Sequence, residues 1–256
     1  MHLQQFSTIT ATVDENGIAV CTFNRPEVRN ALSQQMVAEI HTLLDELTAD
    51  GTTRVLIFTG SSGTFVSGAD LAEMVSRDRS AALRKINNGL FQKIEDFPTP
   101  TIAAIEGYAL GGGCELAAAC DLRVAHKDAR FGQPEVKLGI IPGAGATYRL
   151  PRLIGLAKAK ELIYTGKIIT AEIALEIGLI NEITDANPLE AAIVMAKQIA
   201  ENSGPAVNFA KMALNNASEM STATGIALET AIQSVLYEDD EKYRRMQEFL
   251  DRKKNK

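Results

Sequence analysis

Two glutamates twenty residues apart, Glu115 and Glu135, each stand beside a glycine-rich turn. The first closes Gly107-Tyr108-Ala109-Leu110-Gly111-Gly112-Gly113-Cys114-Glu115-Leu116. The second ends Phe131-Gly132-Gln133-Pro134-Glu135, with Ile141-Pro142-Gly143-Ala144-Gly145 shortly after. Glycines bring bare backbone N–H groups close to a ligand, and two carboxylates in one cleft divide acid work from base work. Donors already aimed at an oxygen that gains charge complete such a set. The combination points to proton transfer next to a carbonyl. Taken singly, each glutamate has a plainer reading as a solvated surface carboxylate, and the glycine triplet as a device for close backbone packing.

The surrounding sequence alternates strand and helix signals. Ile9 to Val13 and Ile18 to Phe23 flank Asp14-Glu15-Asn16-Gly17, whose Asn-Gly suits a tight turn, so a β-hairpin opens the fold. Met36, Val37, Ile40, Leu43, Leu44 and Leu47 recur at helical spacing behind Ser33, a natural N-cap. Val55 to Phe58 reads as a buried strand. Leu83, Ile86, Leu90, Phe91 and Ile94 predict one amphipathic helix stopped by Pro98 and Pro100. Thr101 to Ile105 is the next strand, and the glycine run follows it directly, ahead of a short helix through Leu116 to Ala119. Asp121 to Ala125 and Leu179 to Ile183 read as further strands. From Pro188 three helical stretches follow: Pro188 to Glu201, Pro205 to Ala217, and Ser221 to about Lys253. The order is that of an α/β fold in which ligands collect beyond the strands' carboxyl ends. It divides into a core of residues 1–190 and a helical region of residues 191–256.

Composition narrows the chemistry. A chain of 256 residues, 46% hydrophobic and 23% charged, has ample material for a core. Its apolar runs fall short of a membrane span, and no basic-then-apolar leader opens it, so the expected location is the cytoplasm. Cys21, Cys114 and Cys120 show no metal-finger spacing and fit free thiols in a reducing compartment. Cys114 is better read as a small buried hydrophobe than as a nucleophile, because no histidine stands near it in sequence. His2, His41 and His126 are scattered, which gives a metal site or a Ser-His triad little support. A formal net charge of −6 argues against nucleic acid as the main partner.

Several ordered blocks resemble one family. Asn24-Arg25-Pro26, Asn30-Ala31-Leu32, Phe65-Val66-Ser67-Gly68-Ala69-Asp70-Leu71, Ile102-Ala103-Ala104-Ile105-Glu106-Gly107, the two glycine-glutamate blocks and Gly139-Ile140-Ile141-Pro142-Gly143 resemble the enoyl-CoA hydratase (crotonase) family from about Val20 onward. The resemblance implies a spiral of ββα units with a C-terminal helical region. It implies an acyl-CoA thioester whose oxygen is held by the N–H groups of Ala69 and Gly112. Glu115 then activates a water, Glu135 gives the C2 proton, and Gly143 adds a backbone contact to that water. Val28, Arg29, Ser67, Gly68, Asp70 and Leu71 fall where relatives bind the substrate, and Phe249 and Arg252 where relatives reach across a subunit interface. At Ala72 this chain departs from the lysine often found in relatives. Coenzyme A enters as part of the substrate, with no separate cofactor and no metal. The resemblance also implies a homohexamer built as a dimer of trimers, serving fatty-acid or amino-acid breakdown. Hydration of a trans-2-enoyl-CoA is the expected reaction. An isomerase or another acyl-CoA lyase of the same fold, or an idle relative serving RNA binding or assembly, are the alternatives. The paired glutamates weigh against the former and the acidic balance against the latter.

Overall fold

The structure is a computed structural model and describes residues 3–254; His2 lies outside the described residues. Strands β1 (Ile9–Val13) and β2 (Ile18–Phe23) pair antiparallel across the expected hairpin. The Asp14 carboxylate accepts from Asn16 N at 2.9 Å and Ile18 N at 2.8 Å, and Gly17 supplies the positive φ of 75° that closes the turn. Helix α1 (Gln34–Asp50) begins where Ser33 Oγ accepts from Met36 N at 3.1 Å, and its apolar stripe is fully buried. Strand β3 (Val55–Gly60) runs parallel to β2.

Helices α2 (Leu71–Met74), α3 (Arg79–Leu83) and α4 (Ile86–Glu95) follow, so the single helix expected from Leu83 to Ile94 is divided between the end of α3 and α4. Lys85 adopts a left-handed conformation (φ 52°) that breaks the chain before Ile86, and Leu83 is 72% exposed rather than part of the buried stripe. Strands β4 (Thr101–Ile105) and β5 (Tyr108–Leu110) then lead into α5 (Gly112–Ala119), with β6 (Leu122–His126) and β7 (Arg130–Gly132) after it. Helix α6 (Ala146–Thr165) carries Pro151 and a non-helical Gly155, so it is two helical pieces joined by a kink. Strand β8 (Ile168–Thr170), α7 (Ala171–Glu176) and β9 (Glu182–Thr184) complete the spiral. The C-terminal region holds α8 (Pro188–Ala200), α9 (Gly204–Asn215), α10 (Thr222–Tyr237) and α11 (Asp240–Lys254). The last two were expected as one helix. The chain restarts at Asp239, whose carboxylate accepts from Glu241 N at 2.7 Å.

Successive turns of the chain place one strand in a large sheet and the next in a small one. The large sheet has the order β1-β2-β3-β4-β6-β9, parallel beyond the opening hairpin; the small one has the order β5-β7-β8. Val66 bridges Ala109 on β5, so the segment before Ala69 lies along the same edge. Strands buried on both faces split their side chains by parity. Val55, Ile57, Ile102, Ala104 and Val124 pack against Ala192 and Ala196 of α8, while Leu56, Phe58, Ala103 and Ile105 face the main core with α1, α4 and α5. The glycine run is thereby delivered to the rim of a doubly covered sheet.

Candidate active site

Helix α5 starts where the chain must turn sharply and approach its neighbours closely. Gly111 sits at φ 50°, and a β-carbon there would lie 3.0 Å from Glu135 Oε1. A β-carbon on Gly113 would lie 2.1 Å from the Val66 carbonyl oxygen, closer than any side chain tolerates. The glycines thus bring the first turn of α5 against the segment 66–69 and clear room for the second carboxylate. The Gly112 α-carbon neighbours the Ala69 amide, whose nitrogen lies 3.5 Å from where a Gly112 β-carbon would be. Among the described residues neither the Ala69 nor the Gly112 N–H donates to a protein acceptor. Gly112 stands at the first position of α5, where the helix offers its N–H no partner, and the positive end of the helix adds to the same point.

Glu115 lies on the inward face of α5 and is 3% exposed. Its Oε1 accepts from Ala144 N at 2.8 Å and Ala146 N at 3.1 Å. Burial lifts its carboxyl above the usual range, opposed by those two N–H groups and by the positive charge of Arg149. Glu135 sits in a short 3-10 turn, Pro134–Leu138, that follows β7. Burial pushes it up to about 7; its own backbone N–H opposes the rise and the charge of Glu115 adds to it. Near neutral pH the pair therefore holds a proton that two separate glutamates would not. It titrates as one coupled unit.

Sequence reading missed two supports of this pair. Gln133 is fully buried, and with its carboxamide nitrogen turned to Glu135 it donates to both carboxylate oxygens, at 3.0 and 3.1 Å. Arg149, 3% exposed at its side chain, lies behind the loop that donates to Glu115. It donates to the Ala144 carbonyl at 3.0 Å, to Glu95 at 2.8 and 2.5 Å, and to Gln92 at 3.3 Å. The available signal was weak: a polar residue between Gly132 and Pro134, and an arginine in the first turn of α6. Cys114, beside them, is buried and its thiol is pushed up to about 12 by burial and by the charges of Glu135 and Glu115, which leaves it unreactive.

Ala69, Gly112, Glu115, Glu135 and Gly143 all line one cleft of about 470 Å³, and Ser67, Gly68 and Leu71 line it as well. Val28, Arg29 and Asp70 do not. Val28 and Arg29 border Ser67, whose N–H donates to the Arg29 carbonyl at 3.2 Å. Asp70 turns away to a 3.1 Å ion pair with Arg25 and to the first N–H groups of α2, so it holds the Ala69 segment in place. Asn30 does the same from a fully buried position, donating to the carbonyls of Ser61 and Thr64 at 3.1 and 2.6 Å. Phe249 and Arg252 stand exposed on α11, and neither lines this cleft. Among the described residues no group of three or more His, Cys, Asp or Glu side chains converges as a metal site. None of their helices is long and apolar enough to cross a membrane.

The sequence and the fold have counterparts among known proteins. The sequence model described as enoyl-CoA hydratase/isomerase matches residues 13–256. The chain belongs to that family. It is 38% identical over 244 residues to a short-chain-enoyl-CoA hydratase of Clostridium acetobutylicum, covering 94% of each chain. It is 37% identical to the 2,3-dehydroadipyl-CoA hydratase of Escherichia coli, over 92% of this chain and 93% of that one. The crystal structure of an enoyl-CoA hydratase from Bacillus anthracis superposes with a TM-score of 0.92 at 36% identity, over 96% of this chain and 97% of that one. The spiral core with its C-terminal helices is the fold of the enoyl-CoA hydratase/isomerase family.

Proposed function

We propose that the protein is an enoyl-CoA hydratase that adds water across the double bond of a trans-2-enoyl-CoA to give a 3-hydroxyacyl-CoA. The observation that carries this reading is the pair Glu115 and Glu135 facing one cleft beside two unpartnered backbone N–H groups. The N–H groups of Ala69 and Gly112 receive the thioester oxygen. Negative charge grows there as the nucleophile adds at C3, and donors already in place need no reorganisation. Glu115, ionised and fixed through Oε1 by Ala144 and Ala146, takes a proton from water with its other oxygen as the water's oxygen bonds to C3. The electron pair of the C2–C3 double bond moves towards C2 and the thioester oxygen. Glu135, held partly protonated near neutral pH, delivers its proton to C2. Gly143 lines the cleft next to Ala144 and adds a backbone contact to the water.

Coenzyme A belongs to the substrate, held along Ser67, Gly68 and Leu71 with Val28 and Arg29 beyond. We place the reaction in the cytoplasm, in keeping with three free, buried thiols. The assembly we propose is a homohexamer, a dimer of trimers. In its support, Ile226, Val235, Met246, Phe249 and Leu250 of α10 and α11 stay exposed in the single chain, and assembly brings Phe249 and Arg252 to a neighbouring site. The test is direct: purified protein mixed with crotonyl-CoA removes the ultraviolet band of the conjugated thioester and yields 3-hydroxybutyryl-CoA. An unchanged band at micromolar protein refutes the hydratase reading.

A further inference from the structure

The Ala69 N–H is aimed from outside the cleft. Gly68 C=O and Ala69 N–H belong to one planar trans peptide, so they point in opposite directions. The Gly68 carbonyl accepts from Leu32 N at 2.9 Å. That bond decides where the Ala69 N–H points, and Ala69 lines the cleft. The following peptide is held by the same residue, because Asp70 N donates to the Leu32 carbonyl at 3.0 Å. Gly68 sits at φ 134°, where a residue with a β-carbon is strained. The freedom that lets glycine adopt this angle also lets the 68–69 peptide turn unless its carbonyl is tied.

The same geometry repeats one step back. Ala31 C=O and Leu32 N–H form another planar trans peptide, and the Ala31 carbonyl accepts from Arg25 Nη1 at 2.6 Å. A head-to-tail row results: the Arg25 guanidinium, the 31–32 peptide, the 68–69 peptide and then the open Ala69 N–H. A peptide that accepts from a cation donates more strongly at its other end, and hydrogen bonds in such a row strengthen one another. Arg25 is itself fixed at both ends. Its backbone N–H donates to Asn30 Oδ1 at 2.8 Å, and its Nη1 also reaches Asp70 Oδ2 at 3.1 Å, so it ties both flanks of the Leu32–Ala69 bridge. Asp70 balances the charge of Arg25 at long range, which leaves aim and local polarisation to pass along the row. Leu32 touches the second donor as well: it is fully buried, and its Cδ1 lies 3.3 Å from where a Gly112 β-carbon would stand.

We infer that Arg25 is a positioning residue for the reaction: through the Ala31–Leu32 and Gly68–Ala69 peptides it aims and polarises the Ala69 N–H at the thioester oxygen. The inference rests on the enoyl-CoA hydratase reading. Arg25 does not line the cleft and acts without touching substrate. Its contribution grows as negative charge develops on the oxygen, so it falls mainly on kcat and little on ground-state binding.

The experiment reads the donor directly. 4-Dimethylaminocinnamoyl-CoA carries an electron-rich ring conjugated to its thioester, and its absorption moves to longer wavelength as hydrogen bonds draw charge onto the carbonyl oxygen. The parent protein shifts the bound band in that direction, and Arg25→Met shifts it less. On crotonyl-CoA the variant loses about 10- to 50-fold in kcat, a part of what a whole oxyanion donor contributes, while KM changes by less than about 3-fold. Replacing the Leu32 amide with an ester deletes the N–H that joins the two peptides, keeps the shape of the chain and gives the same two losses. Adding Arg25→Met to the ester protein then costs little more, because the row is already cut. An unchanged band and kcat in Arg25→Met overturns the inference, and so does a fall in kcat with the bound band left at the parent position, which marks a structural support only. Losses that multiply when the two changes are combined overturn it too. Should Arg25→Met fail to fold, the ester protein decides alone: parent-like band and rate refute the row, and losses in both sustain it. A parent that shifts the chromophore but leaves crotonyl-CoA unhydrated, with the shift reduced in Arg25→Met, sustains the positioning role and removes the hydratase activity. A parent that hydrates crotonyl-CoA no faster than its variants keeps the activity and removes the positioning role.

Discussion

Glu135→Gln isolates what the raised carboxyl costs the fold. In the folded protein burial and the charge of Glu115 bring Glu135 from 4.5 up to about 7. A folded-state value above the unfolded one means that the folded form binds the proton more tightly. Stability from this group is therefore fully present below about pH 4.5, falls as pH rises through about 7, and is lost above it. A rise from 4.5 to about 7 corresponds to about 3 kcal/mol at 1.36 kcal/mol per pH unit. Part of the carboxyl group reaches the cleft, and solvent screening reduces the effect to about 1–2 kcal/mol. Glutamine keeps the shape and cannot ionise. The variant is thus expected to match the parent near pH 4.5 and to exceed it by about 1–2 kcal/mol at pH 8. Urea unfolding of both proteins, at equal concentration across that range, measures the difference and cancels the titration of every other group. A difference that stays flat with pH, or a variant less stable than the parent at pH 8, refutes the account of how this carboxyl is perturbed.

Four further outcomes follow, each with its own measurement. Arg149→Met removes the charge that favours ionised Glu115 and frees the Ala144 carbonyl; the acid limb of the kcat/KM profile moves to higher pH, and unchanged limbs contradict the positioning role. The same change leaves Glu95 without its buried partner and costs about 3 kcal/mol of stability, measured by chemical denaturation. Glu115→Gln and Glu135→Gln each lower kcat by about 10²- to 10⁴-fold, and the double variant loses less than the product because both act on one water; near-normal hydration in either single variant removes it from the mechanism. Truncation after Leu236 removes α11 and breaks the proposed hexamer, seen by sedimentation; an intact protein that sediments as a fully active monomer contradicts a shared-site assembly.

Local signals made the opening of the fold readable. Asn16-Gly17 dictates the hairpin turn and Ser33 the start of α1, each through a hydrogen bond within a few residues. The small sheet was not readable. β5, β7 and β8 span three residues each, too few to display a period, and they exist because neighbouring turns of the spiral pair them. Pro151 and Gly155 hid α6, and the left-handed Lys85 broke a helix whose hydrophobic spacing ran straight through it. At the site, Glu115, Glu135 and Gly112 announced themselves by the glycines beside them. Arg149 and Gln133 did not, since their importance comes from burial and from partners such as Glu95, 54 residues away in sequence. Asp70 was legible as part of a block, yet its carboxylate serves Arg25 and α2 rather than the cleft.

In the proposed mechanism a thioester oxygen is held at the start of α5 while two glutamates move protons beside it. Replacing the Gly112 amide with an ester deletes one donor, keeps the shape of the turn and leaves Glu115 and Glu135 untouched. Hydration of crotonyl-CoA by this variant is expected to fall by about 10²- to 10³-fold in kcat. Affinity for a saturated acyl-CoA is expected to change little, because the interaction strengthens as charge develops. Hydration at the parent rate would return the glycine run to a packing role and contradict the mechanism.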